Sequence, residues 1–512
     1  MGKERVTTAE MRAIELNSEY LGVSTLQLME SAGRSVALEL ASRIPPPSRV
    51  IVYCGTGKNG GDGMVAARHL ASLGYMVSLV LVGREGEIRD DVVAVNWRAI
   101  KEMANSIQSR VITDSSLVKA EDCDVVIDAL LGIGVKGQLR PPILQVVEAI
   151  NESKGFKVAV DIPTGIDADT GGVCGDAVKA DLTVTFHKEK EGLPKAKKHV
   201  GELKVVSLGV PPEAETLTGP GDVSLVTKER LPESHKGDFG KLLVVGGSEI
   251  YTGAPAYVGL AALRTGVDLV YVAAPEKAAT VVSSFSPNLI TIKLKGLHFS
   301  SGNLSELEPW LTRVTGLAIG PGLGASSDTI AAVEELLERV EELKLPILLD
   351  ADALRALSRS RRKIRAPMVL TPHVGEFKII TGSEISSDFE TRQGEVQTLA
   401  HELGCTVVLK SHIDIISDGH CCKLNRTGNP GMTVGGTGDV LSGIVGALLC
   451  QGHDPFHAAC AGAFINGAAG DFVYLERGYH MAATDLIEKI PRVMTDPMSH
   501  REIRPRLRVQ GN

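Results

Sequence analysis

Two stretches of the chain combine glycines with a carboxylate in a way that suits negatively charged ligands, and the first is GTGKNGGDG at residues 55–63. It follows an apolar run and precedes a helix-like run from Met64. Glycines at 55, 57 and 60 permit a tight turn and a close approach to phosphate, and a helix N-terminus offers unpaired N–H groups. The next strand ends in Val-Gly-Arg rather than an acidic residue, and no Lys-Ser or Lys-Thr closes the loop. Neither a plain dinucleotide fingerprint nor a P-loop is therefore predicted, and a purely structural turn is the alternative.

Two further apolar runs of the same region end in an aspartate, Asp128 in VVIDALLGIGVKG and Asp161 in VAVDIPTGID. Open α/β sheets bind ligands at the carboxyl ends of their strands, so both side chains and Lys136 are expected at one edge. Asn59, Asp128 and Thr164 offer oxygen atoms that suit a hard cation rather than zinc. Either aspartate alone could equally be a turn cap. Together with the glycine loop they predict a site.

The second glycine stretch is GGTGD at residues 435–439, directly before the apolar run 440–450. The N–H groups of Gly435 to Gly438 and the dipole of the following helix would form an anion hole, with Asp439 beside the bound phosphate. An ordinary N-terminal helix carboxylate is the alternative for Asp439. His373, which lies just after a strand, could likewise be no more than a hydrogen-bonded turn residue.

The elements that must position these residues are short apolar runs that alternate with helix-length stretches. Six such runs precede residue 209 and eight follow residue 240, which is typical of buried parallel strands joined by crossover helices. The segment 209–222 is rich in Pro, Gly and Thr and has the composition of a linker. We therefore predict two three-layer α/β/α domains, at residues 1–215 and 222–495, followed by a solvated tail that begins at residue 494.

Composition excludes several classes of protein. The 512 residues carry a net charge of −8, which argues against a general binder of nucleic acid or anionic membranes. No apolar run of 18 residues occurs, and the first 20 residues fit neither a signal nor a transit peptide. The eight cysteines are scattered without a Cys-x-x-Cys pair. A reduced, cytoplasmic location is expected.

The first domain resembles the NAD(P)H-hydrate epimerases through GTGKNGGDG, DALLGIGVKG and VDIPTGID. This resemblance implies a Rossmann-like fold that interconverts the R and S epimers of hydrated NADH and NADPH. It also implies a potassium site at Asn59, Asp128 and Thr164, and an acid–base pair of Asp161 and Lys136. The residues it assigns to substrate binding are Lys58, Asn59, Gly60, Gly61, Asp62, Gly132, Ile133, Gly134, Val135, Lys136, Gly137, Gln138 and Asp161.

The second domain resembles the NAD(P)H-hydrate dehydratase branch of the ribokinase-like superfamily, through YTGAP, GPGLG, LDADAL, TPHVGE, LKS and NPGMTVGGTGD. The resemblance implies that ADP or ATP, with magnesium, drives dehydration of the S hydrate and that Asp439 is the catalytic base. Substrate contacts would come from Gly253, Gly322, His373 and Asp439. Adenine-nucleotide contacts would come from Lys410, Ser411, His412, Ile413, Asp414, Asn429, Gly435, Gly436, Thr437 and Gly438.

The combined prediction is a bifunctional enzyme of nicotinamide-nucleotide repair, possessing an epimerase and a dehydratase and acting on small molecules alone. The alternative is a ribokinase-like small-molecule kinase fused to a nucleotide-binding module without catalysis, because GGTGD serves kinases equally well. By resemblance alone the chain is expected to form a homo-oligomer.

Overall fold

The computed structural model describes residues 3–119, 121–358, 363 and 365–509. Within them the chain forms two compact units that divide between Pro212 and Glu213. Each unit has its own sheet and its own buried core.

The first unit is built on a seven-stranded parallel sheet. The nine strands of the unit, two of which lie outside this sheet, are β1 (Arg5–Val6), β2 (Arg49–Cys54), β3 (Met76–Val82), β4 (Ile107–Ile112), β5 (Val125–Ala129), β6 (Phe156–Val160), β7 (Leu182–Phe186), β8 (Glu189–Lys190) and β9 (Glu202–Val206). Its helices are α1 (Thr8–Leu21), α2 (Thr25–Ala41), α3 (Lys58–Ser72), α4 (Asp91–Glu102), α5 (Ile143–Glu152) and α6 (Lys197–Val200). The sheet order is β4-β3-β2-β5-β6-β7-β9, and β1 pairs with β8 separately. The order reverses direction between β2 and β5, so the loops after these strands flank the crevice where such sheets bind ligands.

Helices cover both faces of this sheet. Apolar side chains of α2, α3 and α4 pack on one face, and those of α5 pack on the other. The predicted three-layer, Rossmann-like architecture is confirmed. The short strands β1 and β8 were not predicted, and two further details differ from the sequence expectation. Helix α3 begins at Lys58 instead of Met64, so the last glycines of the loop lie inside its first turns, and the edge strand β4, largely exposed and polar, was not predicted.

The second unit is built on a nine-stranded sheet. Its strands are β10 (Lys241–Val245), β11 (Leu269–Pro275), β12 (Leu289–Leu294), β13 (Gly316–Ile319), β14 (Ile347–Leu349), β15 (Met368–Leu370), β16 (Thr406–Leu409), β17 (Asp414–Ser417) and β18 (Cys422–Asn425). Its helices are α7 (Glu213–Thr216), α8 (Pro220–Leu225), α9 (Ala254–Thr265), α10 (Glu276–Phe285), α11 (Leu304–Leu311), α12 (Ser327–Leu343), α13 (Val374–Thr381), α14 (Phe389–Leu403), α15 (Thr437–Cys450), α16 (Pro455–Arg477), α17 (Ala483–Thr495) and α18 (His500–Val509).

The second sheet has the order β12-β11-β10-β13-β14-β15-β16-β17-β18, and only its last two pairings are antiparallel. Helices α11, α12 and α14 cover one face, while α9, α15 and α16 contact the strands from the other side. Helix α16 is long and apolar enough to cross a membrane by composition, but 89% of its most apolar stretch is buried within the unit. Such burial is typical of a core helix.

Both ends of the second unit are more ordered than the sequence suggested. Thr218, inside the expected linker, donates its N–H to the Leu424 carbonyl at 2.9 Å, and the buried Asp222 pairs with Lys423 at 2.7 Å. The expected tail contains α18, whose first residue, His500, is only 2% exposed. Composition alone missed both because their polar side chains find buried partners far away in the sequence.

Candidate active sites of the two units

The first site lies where β2, β5 and β6 end. Asp128, in β5, is 1% exposed, and its carboxylate accepts hydrogen bonds from the N–H of Thr164 at 2.7 Å and from its hydroxyl at 2.7 Å. Burial raises the pKa of Asp128 to about 6, although the bonds from Thr164 oppose the rise. The Thr164 hydroxyl oxygen also accepts the N–H of Leu131 at 3.0 Å. Asp128 and Thr164 are thus brought together as expected.

Asn59 lies in the first turn of α3, against the loop that follows β5. A Cβ placed on Gly132 would lie 3.2 Å from the Asn59 amide oxygen, so the loop after β5 passes directly against the side chain. Asn59 is buried, and its amide nitrogen has no hydrogen-bond partner among the described residues. A buried polar group without a partner is costly, and an absent ligand is one explanation for it.

The glycines of the first loop are required by close backbone contacts. A Cβ on Gly60 would lie 1.9 Å from the Gly55 carbonyl oxygen, and a Cβ on Gly55 would lie 2.0 Å from the Leu130 carbonyl oxygen. The loop after β2 therefore packs backbone to backbone against the chain leaving β5, which fixes the start of α3 at the crevice.

Asp161 follows β6 directly and has a left-handed backbone with φ of 63°. Its Oδ1 atom accepts hydrogen bonds from the Thr185 hydroxyl at 3.0 Å, from the Phe186 N–H at 3.1 Å and from the Lys190 ammonium. The predicted acid–base partner, Lys136, makes no ion pair with Asp161 among the described residues. It is exposed on the loop 132–138, where its charge acts on Asp167. The acid–base pairing of Asp161 with Lys136 stays a prediction, and the cation in direct contact with Asp161 in the structure is Lys190.

Further charged groups surround Asp161. Burial raises the pKa of Asp62 well above its usual range, and the charges of Asp161 and Glu15 add to the rise, while Lys58 opposes it. Burial likewise raises the pKa of Glu15, in α1. Asp62 and Lys58 were predicted from the loop motif. Glu15 was not, because nothing in an amphipathic helix shows that one glutamate faces a site in a distant loop.

The second site is centred on Asp439, in the first turn of α15. The helix is preceded by Gly436, which has a left-handed backbone with φ of 97°. Burial raises the pKa of Asp439 to about 7, and the negative charges of Asp350 and Glu376 add to the rise while Lys410 opposes it. A carboxyl group with this pKa can accept a proton and release it near neutrality.

Lys410, predicted as a nucleotide contact, lies at the centre of these charges. Its ammonium is 2.8 Å from Asp350 and 3.8 Å from Glu376, and a Cβ on Gly438 would lie 3.5 Å from it. Asp350 also accepts the Ser442 hydroxyl at 2.6 Å. Burial raises the pKa of Asp350, but Lys410 and the hydroxyl groups of Ser442 and Thr371 together outweigh burial and hold it below its usual range. Lys410 thus brings positive charge directly beneath the glycine loop.

His373 caps the N-terminus of α13. Its Nδ1 atom accepts the N–H groups of Gly375 at 2.9 Å and Glu376 at 3.2 Å, and the rest of the ring is exposed. His373 is thus a hydrogen-bonded turn residue, as the alternative interpretation held. The hydrogen bond from the Lys410 N–H to the Pro372 carbonyl also keeps His373 next to Lys410. Of the other predicted substrate contacts, Gly322 approaches the loop that leads to Gly253, since a Cβ on it would lie 2.9 Å from Tyr251.

The predicted nucleotide loop at Asn429 is held by residues that sequence reasoning missed. The Asn429 amide donates to Asp471 at 2.9 Å, the Gly428 N–H donates to the other oxygen of Asp471 at 3.0 Å, and His500 lies 3.0 Å from that oxygen. His500 and Asp471 are both buried. The remaining predicted segment, 411–414, turns tightly, because the Ser411 N–H donates to Asp414 at 3.0 Å.

Comparison with known proteins gives matches to both units. Residues 25–192 match the family described as YjeF-related protein N-terminus, and residues 242–492 match NAD(P)H-hydrate dehydratase. The bifunctional NAD(P)H-hydrate repair enzyme of Hyperthermus butylicus is 45% identical over 96% of this chain and 93% of its own length. That of Pyrobaculum aerophilum is 45% identical over 96% of this chain and 98% of its own.

Among solved structures, the ADP/ATP-dependent NAD(P)H-hydrate dehydratase of Bacillus subtilis, co-crystallised with ATP and Mg²⁺, is 28% identical. The match covers 54% of this chain and 96% of the Bacillus subtilis chain, with a TM-score of 0.45. The near-complete coverage of the archaeal relatives spans both units and both sites. The chain belongs to the family of bifunctional NAD(P)H-hydrate repair enzymes.

Proposed function

We propose that the two units act in succession on hydrated NADH and NADPH. The first unit interconverts the R and S hydrates, and the second dehydrates the S hydrate to NAD(P)H at the expense of ADP or ATP. The observation that carries the proposal is that one chain, similar to repair enzymes over nearly its full length, holds two separate acid–base sites. The two activities complement each other, because a dehydratase that accepts only the S hydrate leaves the R hydrate unrepaired unless the R hydrate is first converted to S.

In the second unit, Asp439 accepts the proton of the ring hydroxyl, which then attacks the terminal phosphate of the nucleotide. The phosphorylated oxygen then leaves as inorganic phosphate with cleavage of its C–O bond, and the adjacent ring carbon loses a proton to solvent, which forms the C=C bond of NAD(P)H. The N–H groups of the loop 435–438 and the N-terminus of α15 are suited to the phosphate oxygens on which negative charge develops. Lys410 lies next to this loop and adds a positive charge. His373, Gly253 and Gly322 would contact the hydrated nucleotide.

Magnesium would accompany the nucleotide and neutralise phosphate charge during transfer. Among the described residues no group of three or more His, Cys, Asp or Glu side chains is arranged to hold a metal ion. This fits an ion that takes most of its ligands from phosphates and water.

In the first unit, Asp161 would act as base while the hydrated ring opens and re-forms, and Lys136, exposed on the neighbouring loop, would supply a proton to the substrate. Potassium would be held by Asn59, Asp128 and Thr164, a set of oxygen donors that suits a hard cation. The unpartnered amide of Asn59 supports this assignment, since rotation of the amide would turn its oxygen toward the ion. The ion would supply a fixed positive charge to the bound substrate.

Separated R and S hydrates distinguish the two activities. Asp161→Asn should abolish conversion of R to S and spare turnover of S, whereas Asp439→Asn should do the reverse. Asp181→Asn and Asp328→Asn are matched controls, because both carboxylates are exposed and Asp328, like Asp439, lies in the first turn of a helix. Failure of the unaltered chain to restore NADH from the S hydrate with either nucleotide would contradict the dehydratase assignment and favour the small-molecule kinase.

A further inference from the structure

Lys190 is a lysine whose charge is completely enclosed in the first unit. Its side chain has 0% exposure, and its ammonium donates to Asp161, to the Thr185 hydroxyl at 3.0 Å and to the Phe186 carbonyl at 3.0 Å. An ammonium has three hydrogens, so every donor is used. A buried lysine is costly unless it is paired and hydrogen-bonded, and here both conditions are met through Asp161 and its neighbours.

The bonds to Asp161 are unevenly distributed over its carboxylate. Oδ1 accepts three hydrogen bonds, from Thr185, Phe186 and Lys190, whereas Oδ2 accepts none from the described residues. The Asp161 side chain keeps 11% exposure while Lys190 has none. A purely structural ion pair would be expected to satisfy both oxygens of a buried carboxylate. This one fixes one oxygen and leaves the other free.

A separate piece of structure holds Lys190 in place. Lys190 lies in β8, which pairs in parallel with β1, with Lys190 opposite Val6. The Glu191 N–H continues the pairing by donating to the Val6 carbonyl at 3.2 Å, and Arg5 pairs with Glu189 at 2.9 Å. The two-stranded pair therefore anchors the lysine independently of the seven-stranded sheet.

Like charges around Asp161 make this anchoring important. Glu15 from α1 and Asp62 from α3 both interact electrostatically with Asp161. Lys58 and Lys190 act on both carboxyl groups, and Arg12 acts on Glu15 as well. Neighbouring carboxyl groups disfavour ionisation of one another, and an adjacent ammonium favours it. Lys190 is the cation in direct contact with Asp161.

We propose that Lys190 is a positioning residue of the epimerase site: it pins Oδ1 of Asp161, so that Oδ2 is presented to the hydrated ring as the base. The inference rests on the proposed epimerase function. It gives Lys190 a role that acts through Asp161 alone, whereas Lys136 would act on the substrate.

The test is Lys190→Met in the full chain, with conversion of R to S hydrate followed chromatographically without nucleotide. We expect kcat to fall at least about tenfold, because a positioned base contributes roughly 100- to 10,000-fold. KM for the R hydrate should stay within about twofold of its value in the unaltered chain, since no substrate contact is removed.

Turnover of the S hydrate with nucleotide is the internal control, because the second unit is unchanged. Lys179→Met is the matched variant, since it makes the same substitution at an exposed lysine of the first unit that contacts neither Asp161 nor Lys190. If Lys190→Met loses the thermal unfolding transition of the first unit, Thr185→Val replaces it. That variant removes one donor to Oδ1 and keeps the ammonium, so kcat should fall a few-fold at unchanged KM.

The possible outcomes separate a positioning role of Lys190 from a purely structural role, and both from a failure of the epimerase assignment. A folded Lys190→Met protein with kcat within twofold of the unaltered chain, or one whose loss lies in KM alone, would overturn the inference. If the first unit unfolds in Lys190→Met, an unchanged kcat in Thr185→Val would overturn it as well. If the unaltered chain converts R to S no faster than Asp161→Asn, the proposed epimerase function itself fails, and that result is distinguishable because it appears before Lys190 is changed.

Discussion

The pH dependence of the second unit should report the ionisation of Asp439. Its pKa of about 7, against an ordinary value of 3.8, results first from burial and then from the charges of Asp350 and Glu376. A base must be ionised to act, so activity should increase with pH. With this pKa the carboxylate fraction is about one tenth at pH 6 and about nine tenths at pH 8. The value of kcat/KM for the S hydrate should therefore rise about tenfold between these pH values.

The assay is the initial rate of NADH recovery from the S hydrate, at limiting hydrate and saturating nucleotide, across this pH range. Glu376→Gln provides a directional control, because it removes a negative charge that raises the pKa of Asp439. Its midpoint should move to lower pH, whatever its maximal rate. A flat profile from pH 6 to pH 8, as an ordinary aspartate would give, or a midpoint that moves upward in Glu376→Gln, would refute the reasoning.

Three further substitutions have defined expectations. Lys410→Met leaves the buried Asp350 without its counter-ion and should lower the free energy of unfolding of the second unit by about 3–5 kcal/mol in chemical denaturation; an unchanged midpoint would contradict this. Asp471→Asn loosens the acceptor that holds Asn429 and should raise KM for the nucleotide about tenfold, a loss of roughly 1.4 kcal/mol, while KM for the S hydrate is unaffected. Gly60→Ala places a Cβ 1.9 Å from a backbone carbonyl oxygen and should abolish R-to-S conversion with S turnover retained; normal conversion would show that the loop can move.

Much of the architecture was predictable because buried parallel strands occur in the sequence as continuous apolar runs. Two of the four edge strands of the large sheets lack such a run. Ile107–Ile112 and Cys422–Asn425 keep polar or partly exposed side chains at the rims of the two sheets, so alternation alone did not reveal them. The C-terminal segment was misjudged for a related reason. Its arginines suggested solvent, whereas His500 is buried against Asp471.

Among the candidate site residues, too, some could be predicted from the sequence and others could not. Asp128, Asp161 and Asp439 could be predicted as candidates because each stands at a position of predictable geometry, at or beside the end of a parallel strand or in the first turn of a helix. Lys190 was not found, because its burial depends on the pairing of two strands of two residues each, which lie far apart in the sequence. Resemblance pointed instead to Lys136, which is in the right loop but exposed.

The most direct test of the account uses a mixture of R and S hydrates with nucleotide and magnesium, and follows the near-ultraviolet absorbance that reduced nicotinamide regains. The unaltered chain should recover all of the NADH in one continuous phase, whereas Asp161→Asn should stall once the S fraction is consumed. A stall at the S fraction with the unaltered chain would contradict the epimerase assignment, and no recovery with either nucleotide would contradict the dehydratase assignment.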